Sequence, residues 1–244
     1  MNNPWLTFNP APEAPKLHEQ DAVFVKAFNN GMKSSDIKSK ANFLLAEHLE
    51  PFPYLGNPNA NVFLLMANPG VNADEEKKSF KMHPEKILQN RRNLRHEDLD
   101  SIKSRIDSPD KPELESIWLK PRVRELVERT SAQRVSNGIF LVNFHAYHSK
   151  SWRTIPVTFP TQQYSFYLIK EAIKREAVII VGRNKLGWVT AVPGLFEYKE
   201  ESGNVIEFDS KRSIYMSSGN LKSEAFERSG NLKSKAFERI IERI

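Results

Sequence analysis

Residues 61–70 read NVFLLMANPG. An unbroken apolar run from Val62 to Ala67, stopped by Asn68-Pro69-Gly70, is the pattern of a strand buried on both faces. GIFLVNF (138–144) and AVIIVG (177–182) repeat it. PTQQYSFYLIKEAIKRE (160–176) predicts a helix with its start signal at Pro160-Thr161. Short buried strands that alternate with helices predict an α/β fold, with a parallel sheet covered on both faces. RSIYMS (212–217) supplies a fourth strand, and FEYKEE and VIEF around Ser202-Gly203-Asn204 predict a β-hairpin. The expected architecture is three-layer α/β/α with a short, mainly parallel four-stranded central sheet, a helical insertion and that hairpin.

The remaining segments fit around this core. Residues 1–17 are rich in Pro and Asn and predict an irregular arm. Residues 18–50 predict one or two helices, and PFPYLGNPNA (51–60) a loop. Residues 73–134 are charged and helical in pattern, broken by Pro84, Pro109, Pro112 and Pro121. AFERIIERI (236–244) predicts an amphipathic helix. SGNLKSEAFER (218–228) is followed at once by SGNLKSKAFER (229–239), a tandem repeat that differs only at Glu224 and Lys235. Eleven residues are close to three helical turns, so such a duplication keeps a helical face. The whole chain, 1–244, reads as a single domain.

Composition excludes several classes of function. The 244 residues include no cysteine, so disulfides, thiolate metal sites and a cysteine nucleophile are ruled out. No apolar run approaches the length of a membrane span. MNNPWLTFNPAPEAPK lacks a basic segment followed by an apolar one, so no signal peptide and a cytoplasmic location are expected. The net charge is +6, and residues 211–244 hold 8 basic against 4 acidic groups. A basic excess favours polyanionic partners, nucleic acid above all. There is no Gly-rich phosphate loop, no G-x-S-x-G elbow and no H-E-x-x-H. His145 and His148 are spaced i, i+3 without an evident third ligand, so no metal is expected and the pair suits contacts to a base or phosphate.

In parallel sheets ligands sit at the carboxyl ends of the strands. That selects Asn68-Pro69-Gly70, the segment Asn143 to Trp152, Gly182-Arg183-Asn184, and Ser217 to Leu221. FHAYHSKSWR (144–153) interleaves aromatic, His and cationic residues, a mixture suited to bases and phosphates. Each feature also has an ordinary structural reading: a turn for Asn-Pro-Gly, a cap for Asn143, a packed loop around Trp152.

The stretch PYLGNPNANVFLLMANPG, followed by FLVN, VIIVG and SSGNL, resembles the uracil-DNA glycosylase superfamily, in the branches whose first motif is Asn-Pro-Gly. The resemblance spans residues 51–244 in element order, and its specific motifs cover some 25 residues. It implies that Asn68 orients the hydrolytic water. A neutral amide positions water without taking its proton, which predicts slower turnover than a carboxylate supports. The uracil-specific branch carries a bulky Tyr two residues later. Gly70 stands there, which leaves room for a 5-substituted pyrimidine. Phe80 has the spacing of the aromatic on which the base stacks, and Asn143 that of the amide that reads the pyrimidine edge.

The last motif wedges into the duplex as the base flips out. Ser218, Asn220, Leu221 and Lys222 resemble it, with Leu221 as wedge and Ser218 as phosphate contact. The motif lacks the typical His or Asn followed by Pro, and the His that stabilises the leaving base is missing. Ser229 to Leu232 is a duplicate of it, and Lys222, Lys233 and Lys235 are candidates to follow the DNA backbone. The resemblance thus implies a monofunctional, cofactor-free DNA glycosylase acting on double- or single-stranded DNA as a monomer, in repair or in defence against phage DNA. A non-catalytic DNA reader on the same fold, and an unrelated flavodoxin-like α/β hydrolase or nucleotide binder, remain open at this stage.

Overall fold

The computed structural model describes all residues except 73, 76, 78, 79, 211, 212 and 223–232, and leaves out the side chains of 200, 201, 233 and 234. The described strands form one six-stranded sheet in the order β1-β3-β2-β4-β5-β6. They are β1 (Tyr54–Gly56), β2 (Val62–Met66), β3 (Ile139–Asn143), β4 (Val178–Val181), β5 (Val205–Phe208) and β6 (Leu221–Lys222). The four inner strands are parallel. The two edge strands run antiparallel to their neighbours.

Alternation along each strand sends side chains to opposite faces. Phe63, Leu65, Phe140, Val142, Ile179 and Val181 enter one core, with Val25 of α1 (Glu19–Ser34), Ile169 of α7 (Gln162–Lys174), Trp188 of α8 (Lys185–Ala191) and Leu195 of α9 (Leu195–Ser202). Val62, Leu64, Met66, Ile139, Leu141, Val178 and Ile180 enter the other. That second core is closed by α3 (Ser101–Ile106), α4 (Leu119–Arg122), α5 (Arg124–Arg129), α6 (Ala132–Gly138) and α10 (Lys233–Arg243). The remaining helix, α2 (Pro84–Leu94), packs beside β1. Helices therefore lie on both faces of the sheet, and β2 and β4 are apolar throughout because neither of their faces meets water.

Several local expectations are corrected. Tyr54–Gly56, expected within a loop, forms the β1 edge on β3. Gly56 permits this: its φ is 103°, and a Cβ there would lie 2.8 Å from the Ile139 carbonyl oxygen. There is no hairpin around residues 202–204. Residues 195–202 are helical, and Gly203, with φ 66°, ends that helix. A glycine in the left-handed region terminates a helix as readily as it turns a hairpin. Residues 205–208 then pair in parallel with β4 and supply the fourth parallel strand. Residues 213–217 form no strand. Ile214 and Met216 are buried in the second core without a ladder, which explains the alternation that suggests one. The arm includes a 3-10 turn, Pro4–Thr7, and anchors Trp5 and Phe8 in the first core.

The end of α10 lies across the α6–β3 junction. Arg134 donates to the carbonyl oxygens of Ile241 and Ile244. A Cβ on Gly138 would fall 2.3 Å from Ile244 Cα. Helix propensity alone makes Gly→Ala favourable by about 1 kcal/mol. Here overpacking against backbone wins, so Gly138→Ala is expected to destabilise by roughly 1–3 kcal/mol. Urea unfolding checks this, and an unchanged or raised midpoint contradicts it.

Candidate functional site

The parallel strands run in the order β3-β2-β4-β5, so the chain leaves β2 to one side for β3 and returns past it for β4. The crevice at such a reversal, beyond the carboxyl ends of the strands, is where open α/β sheets hold ligands. Asn68-Pro69-Gly70 leaves β2 at this point.

Residues 66–70 are bound to 144–149. Phe144 N–H donates to Met66 O (3.0 Å), His145 N–H to Ala67 O (3.3 Å) and Ser149 N–H to Pro69 O (3.2 Å). Trp188 Nε1, from the buried face, adds a second bond to Met66 O (3.1 Å). Within this frame the Asn68 amide nitrogen donates to Ser149 Oγ (2.9 Å), Ser149 O (3.2 Å) and Pro69 O (3.0 Å). Its Oδ1 accepts from no described residue, and the side chain is half-buried. The amide is thus oriented from behind, with an acceptor left over.

Asn143 pairs with Met66 in register and is 3% exposed. Its Nδ2 donates to Phe52 O (2.8 Å) and ties down the loop before β1. Only Oδ1 remains free of described donors. A ligand at Asn143 therefore meets an acceptor, as an N–H or amino edge requires, rather than a donor–acceptor pair. Gly70 is exposed, and a Cβ on it would have nothing within 4 Å. Neither crowding nor a positive φ calls for glycine there. Phe80 is half-buried, donates its N–H to Lys77 O (2.9 Å), and touches no other ring among the described residues. The described contacts do not join it to Asn68 or Asn143.

The two histidines of the 144–153 segment differ in environment. His145 is 2% exposed and stacked on Trp152, with centroids 5.0 Å apart. Burial pushes its imidazole down to about 3. It is a packed, neutral ring. His148 places Nδ1 2.8 Å from Gly70 O and Nε2 3.1 Å from Glu50 O. Both partners are acceptors, and a neutral imidazole has one N–H. Burial lowers its proton affinity, while the two carbonyls and Glu75 oppose that trend. His148 thus bridges the Gly70 turn to the end of the 44–50 segment, and His48 adds a bond to Glu75 O (2.7 Å).

The final motif is placed differently from the expectation. Leu221 is fully buried in β6, opposite Phe208. It is a core residue and not a surface wedge. The motif runs into an edge strand that turns its apolar side chain inward, which the local sequence does not reveal. Asn220 secures the preceding turn, donating to Ser213 O and Tyr215 O. The Ser218 N–H donates to Glu125 Oε1 (3.2 Å), so a carboxylate already occupies the place of a phosphate. Lys222 pairs with Asp209 at 3.6 Å. Lys235 is exposed, whereas Ser229 to Leu232 and the Lys233 side chain lie outside the described residues.

In compensation, the structure assembles two cation–aromatic groups beside these strand ends. Arg122 lies over Trp118 (4.5 Å) and Tyr215 (5.4 Å). Burial and the nearby Arg183 lower its affinity for the proton. Arg105 lies 6.0 Å from the Phe52 ring centre. The Trp118/Arg122 pair has helical i, i+4 spacing, a signal readable in WLKPR. Tyr215 and Phe52 come from distant segments and carry no local signal. The chain matches no family model, no curated protein and no solved structure. Among the described residues, no group of three His, Asp or Glu is arranged to hold a metal ion. Nor is any helix long and apolar enough to cross a membrane.

The buried imidazoles make stability depend on pH. His96 stacks on Tyr54 at 4.7 Å, and burial lowers it to about 4. With His145 at about 3, the folded chain refuses protons that the unfolded chain accepts below its ordinary value of about 6.5. Stability is therefore fully present above that pH and lost as pH falls, by about 1.4 kcal/mol per unit for each ring. Asp21, raised by burial, acts in the opposite sense at the acidic end and offsets part of the loss. Thermal melts should be nearly flat above pH 7 and fall steeply from 6.5 to 4.5. A flat profile down to pH 5 contradicts this.

Proposed function

We propose that the chain is a DNA glycosylase that hydrolyses the bond between a flipped pyrimidine and its deoxyribose. The observation that carries the reading is Asn68, whose amide nitrogen is tied back while Oδ1 stands free at the ligand-bearing end of β2. An acceptor held in that way orients a water by one of its hydrogens. The C1′–N bond breaks with its electrons passing to the base. The water oxygen then bonds to C1′, and the one proton it loses passes by way of solvent to the departing base anion. The developing sugar cation is electrophilic, so orientation without full deprotonation suffices for slow turnover.

Asn143 Oδ1 supports the reading as an acceptor for the N–H or amino edge of the base. The rim supports it too, because Trp118, Arg122 and Tyr215 combine stacking surface with charge. With Leu221 in the core, the exposed apolar side chains Ile117 (87%) and Tyr215 (44%) take over the role of wedge.

Gly70 makes the pocket open beside the base. The Cβ that Gly70→Tyr adds has nothing within 4 Å. It should leave the melting temperature within about 2 °C and lower release of a 5-substituted pyrimidine by more than tenfold relative to uracil. Equal losses on both substrates would remove Gly70 from the size filter.

The test is direct. Labelled oligonucleotides, single- and double-stranded, carry uracil, mismatched thymine, hydroxymethylcytosine or glucosylated hydroxymethylcytosine. Alkali then cuts at any abasic site. Breaks that depend on Asn68 support the glycosylase. The parallel order β3-β2-β4-β5 also favours a second reading, a flavodoxin-like nucleotide-binding protein, since that topology places a nucleotide at the same crevice. That reading expects mononucleotide binding and no abasic sites.

A further inference from the structure

Lys86, Gln89, Asn90 and Asn93 share one face of α2, at i, i+3, i+4 and i+7. The far end of this face is fully bonded. Asn93 donates to Tyr54 O and accepts from the Gly56 N–H and the Ser101 hydroxyl. The near end is not. Gln89 donates to Ser104 Oγ, but its own Oε1 is buried without a partner. Asn90 donates to Pro51 O (3.0 Å), and its Oδ1 is likewise unpartnered. Arg105 follows Ser104 on α3 and lies over Phe52, the residue after Pro51. Its Nε is buried with no acceptor. Among the described residues its guanidinium makes no hydrogen bond or ion pair, and neither does the Lys86 ammonium. The α2 N-terminus opens with Pro84 and has no side-chain cap, and the Glu85 and Lys86 N–H groups have no described acceptor.

Two cations in one crevice repel. Burial lowers Lys86, and the Arg105 charge lowers it further. Burial likewise brings Arg105 down to about 10. Asp98 faces Arg105, and Glu75 and Glu113 face Lys86, but none of these carboxylates reaches ion-pair distance. A buried guanidinium Nε left without an acceptor is costly in a protein interior. An incoming oxyanion removes that cost.

We infer that Lys86 and Arg105, with the N-terminus of α2, form a seat for a phosphate group between α2 and α3 beside Phe52. Arg105 offers a planar fork of donors to two phosphate oxygens, and Lys86 offers a point charge to a third. Gln89 Oε1 and Asn90 Oδ1 suit hydroxyl groups of a sugar that carries the phosphate. The inference stands without the glycosylase reading, because it requires no chemistry at Asn68.

The test uses the full chain with three variants, Arg105→Met, Arg105→Lys and Lys86→Met. Melting temperatures are measured in sodium phosphate and in sodium chloride of equal ionic strength. Affinity is measured by anisotropy for a fluorescent single-stranded oligonucleotide, and by competition for deoxycytidine monophosphate. Wild type should melt at least 3 °C higher in phosphate than in chloride. The two Met variants should lose most of that difference, and Arg105→Lys should keep part of it. Arg105→Met should melt as high as wild type in chloride, since it removes an uncompensated charge.

If the Met variants weaken the oligonucleotide at least tenfold and lower its salt slope by about one, the phosphate belongs to a nucleic-acid backbone. If they weaken only the monophosphate, it belongs to a small nucleotide. No phosphate-specific shift in wild type, or an equal shift in all four proteins, overturns the inference. So does an Arg105→Met protein that melts well below wild type in chloride with its phosphate response intact.

Discussion

Asn68→Ala should reduce base release at least 100-fold while lowering the melting temperature by only a few degrees. The structural cost is small because Ser149 O, Ser149 Oγ and Pro69 O lie at a half-open site where water replaces the lost amide. Such an exchange costs about 1 kcal/mol, or about 2–4 °C for a chain of this size. The kinetic cost is large because the water loses its fixed acceptor. Positioned acid–base groups are worth roughly 10²–10⁴ in rate. Ser149→Ala provides the graded control. It removes one of three acceptors behind the amide and should cost less than tenfold. Single-turnover release of a labelled base, with protein in excess, separates both effects from product binding. Equal rates for Asn68→Ala and wild type would eliminate the water-positioning role.

Asp21→Ala should destabilise the fold by roughly 3–5 kcal/mol, about 10 °C in melting temperature. Asp21 is fully buried on α1. Its Oδ2 accepts from the Tyr147 hydroxyl (2.8 Å) and the Thr161 hydroxyl (2.5 Å), and its Oδ1 from the Thr161 N–H (3.1 Å). Removing the carboxylate strands three buried donors at once. The loss spreads to function, because Tyr147 lies between His145 and His148 and Thr161 stands at the start of α7. Asp21→Asn keeps the shape but turns an N–H₂ toward a donor, so an intermediate loss is expected. Guanidinium unfolding of the three proteins measures both. A change below 1 kcal/mol for Asp21→Ala would mean that water fills the gap.

The central strands were legible because burial on both faces leaves an unbroken apolar run, as in residues 62–66, 139–143 and 178–181. The edges were not. β1 and β6 have three and two residues, and each exists through its neighbour rather than through its own pattern. Residues 205–208 read correctly as a strand but with the wrong partner, since one Gly serves hairpins and helix ends alike. The placement of Asn68 and Gly70 just past β2, and of Asn143 at the end of β3, was legible because the sequence announces those strands. His145 was misplaced as a contact residue because its local sequence does not show Trp152 folding over it. Lys86 and Arg105 are nineteen positions apart on separate helices, and only tertiary packing brings them together. Leu221 shows the converse: a motif-like setting gave no sign that its side chain turns inward.

The position of α10 also bears on how the chain is made. All four parallel strands have been synthesised by residue 208, yet Ala236, Phe237 and Ile240 complete the second core. At roughly 5–20 residues per second, a few seconds of translation separate the last parallel strand from the helix that completes this core. During that interval α3 to α6 can already cover part of the face bearing Val62, Leu64, Ile139 and Ile180, and the part that α10 closes stays open. A transcript interrupted before codon 233 would yield a chain able to pair every strand and unable to stay dispersed. Such truncated chains should be bound by chaperones and cleared by proteolysis, while chains lacking only the exposed Met1 and Asn2 should accumulate normally.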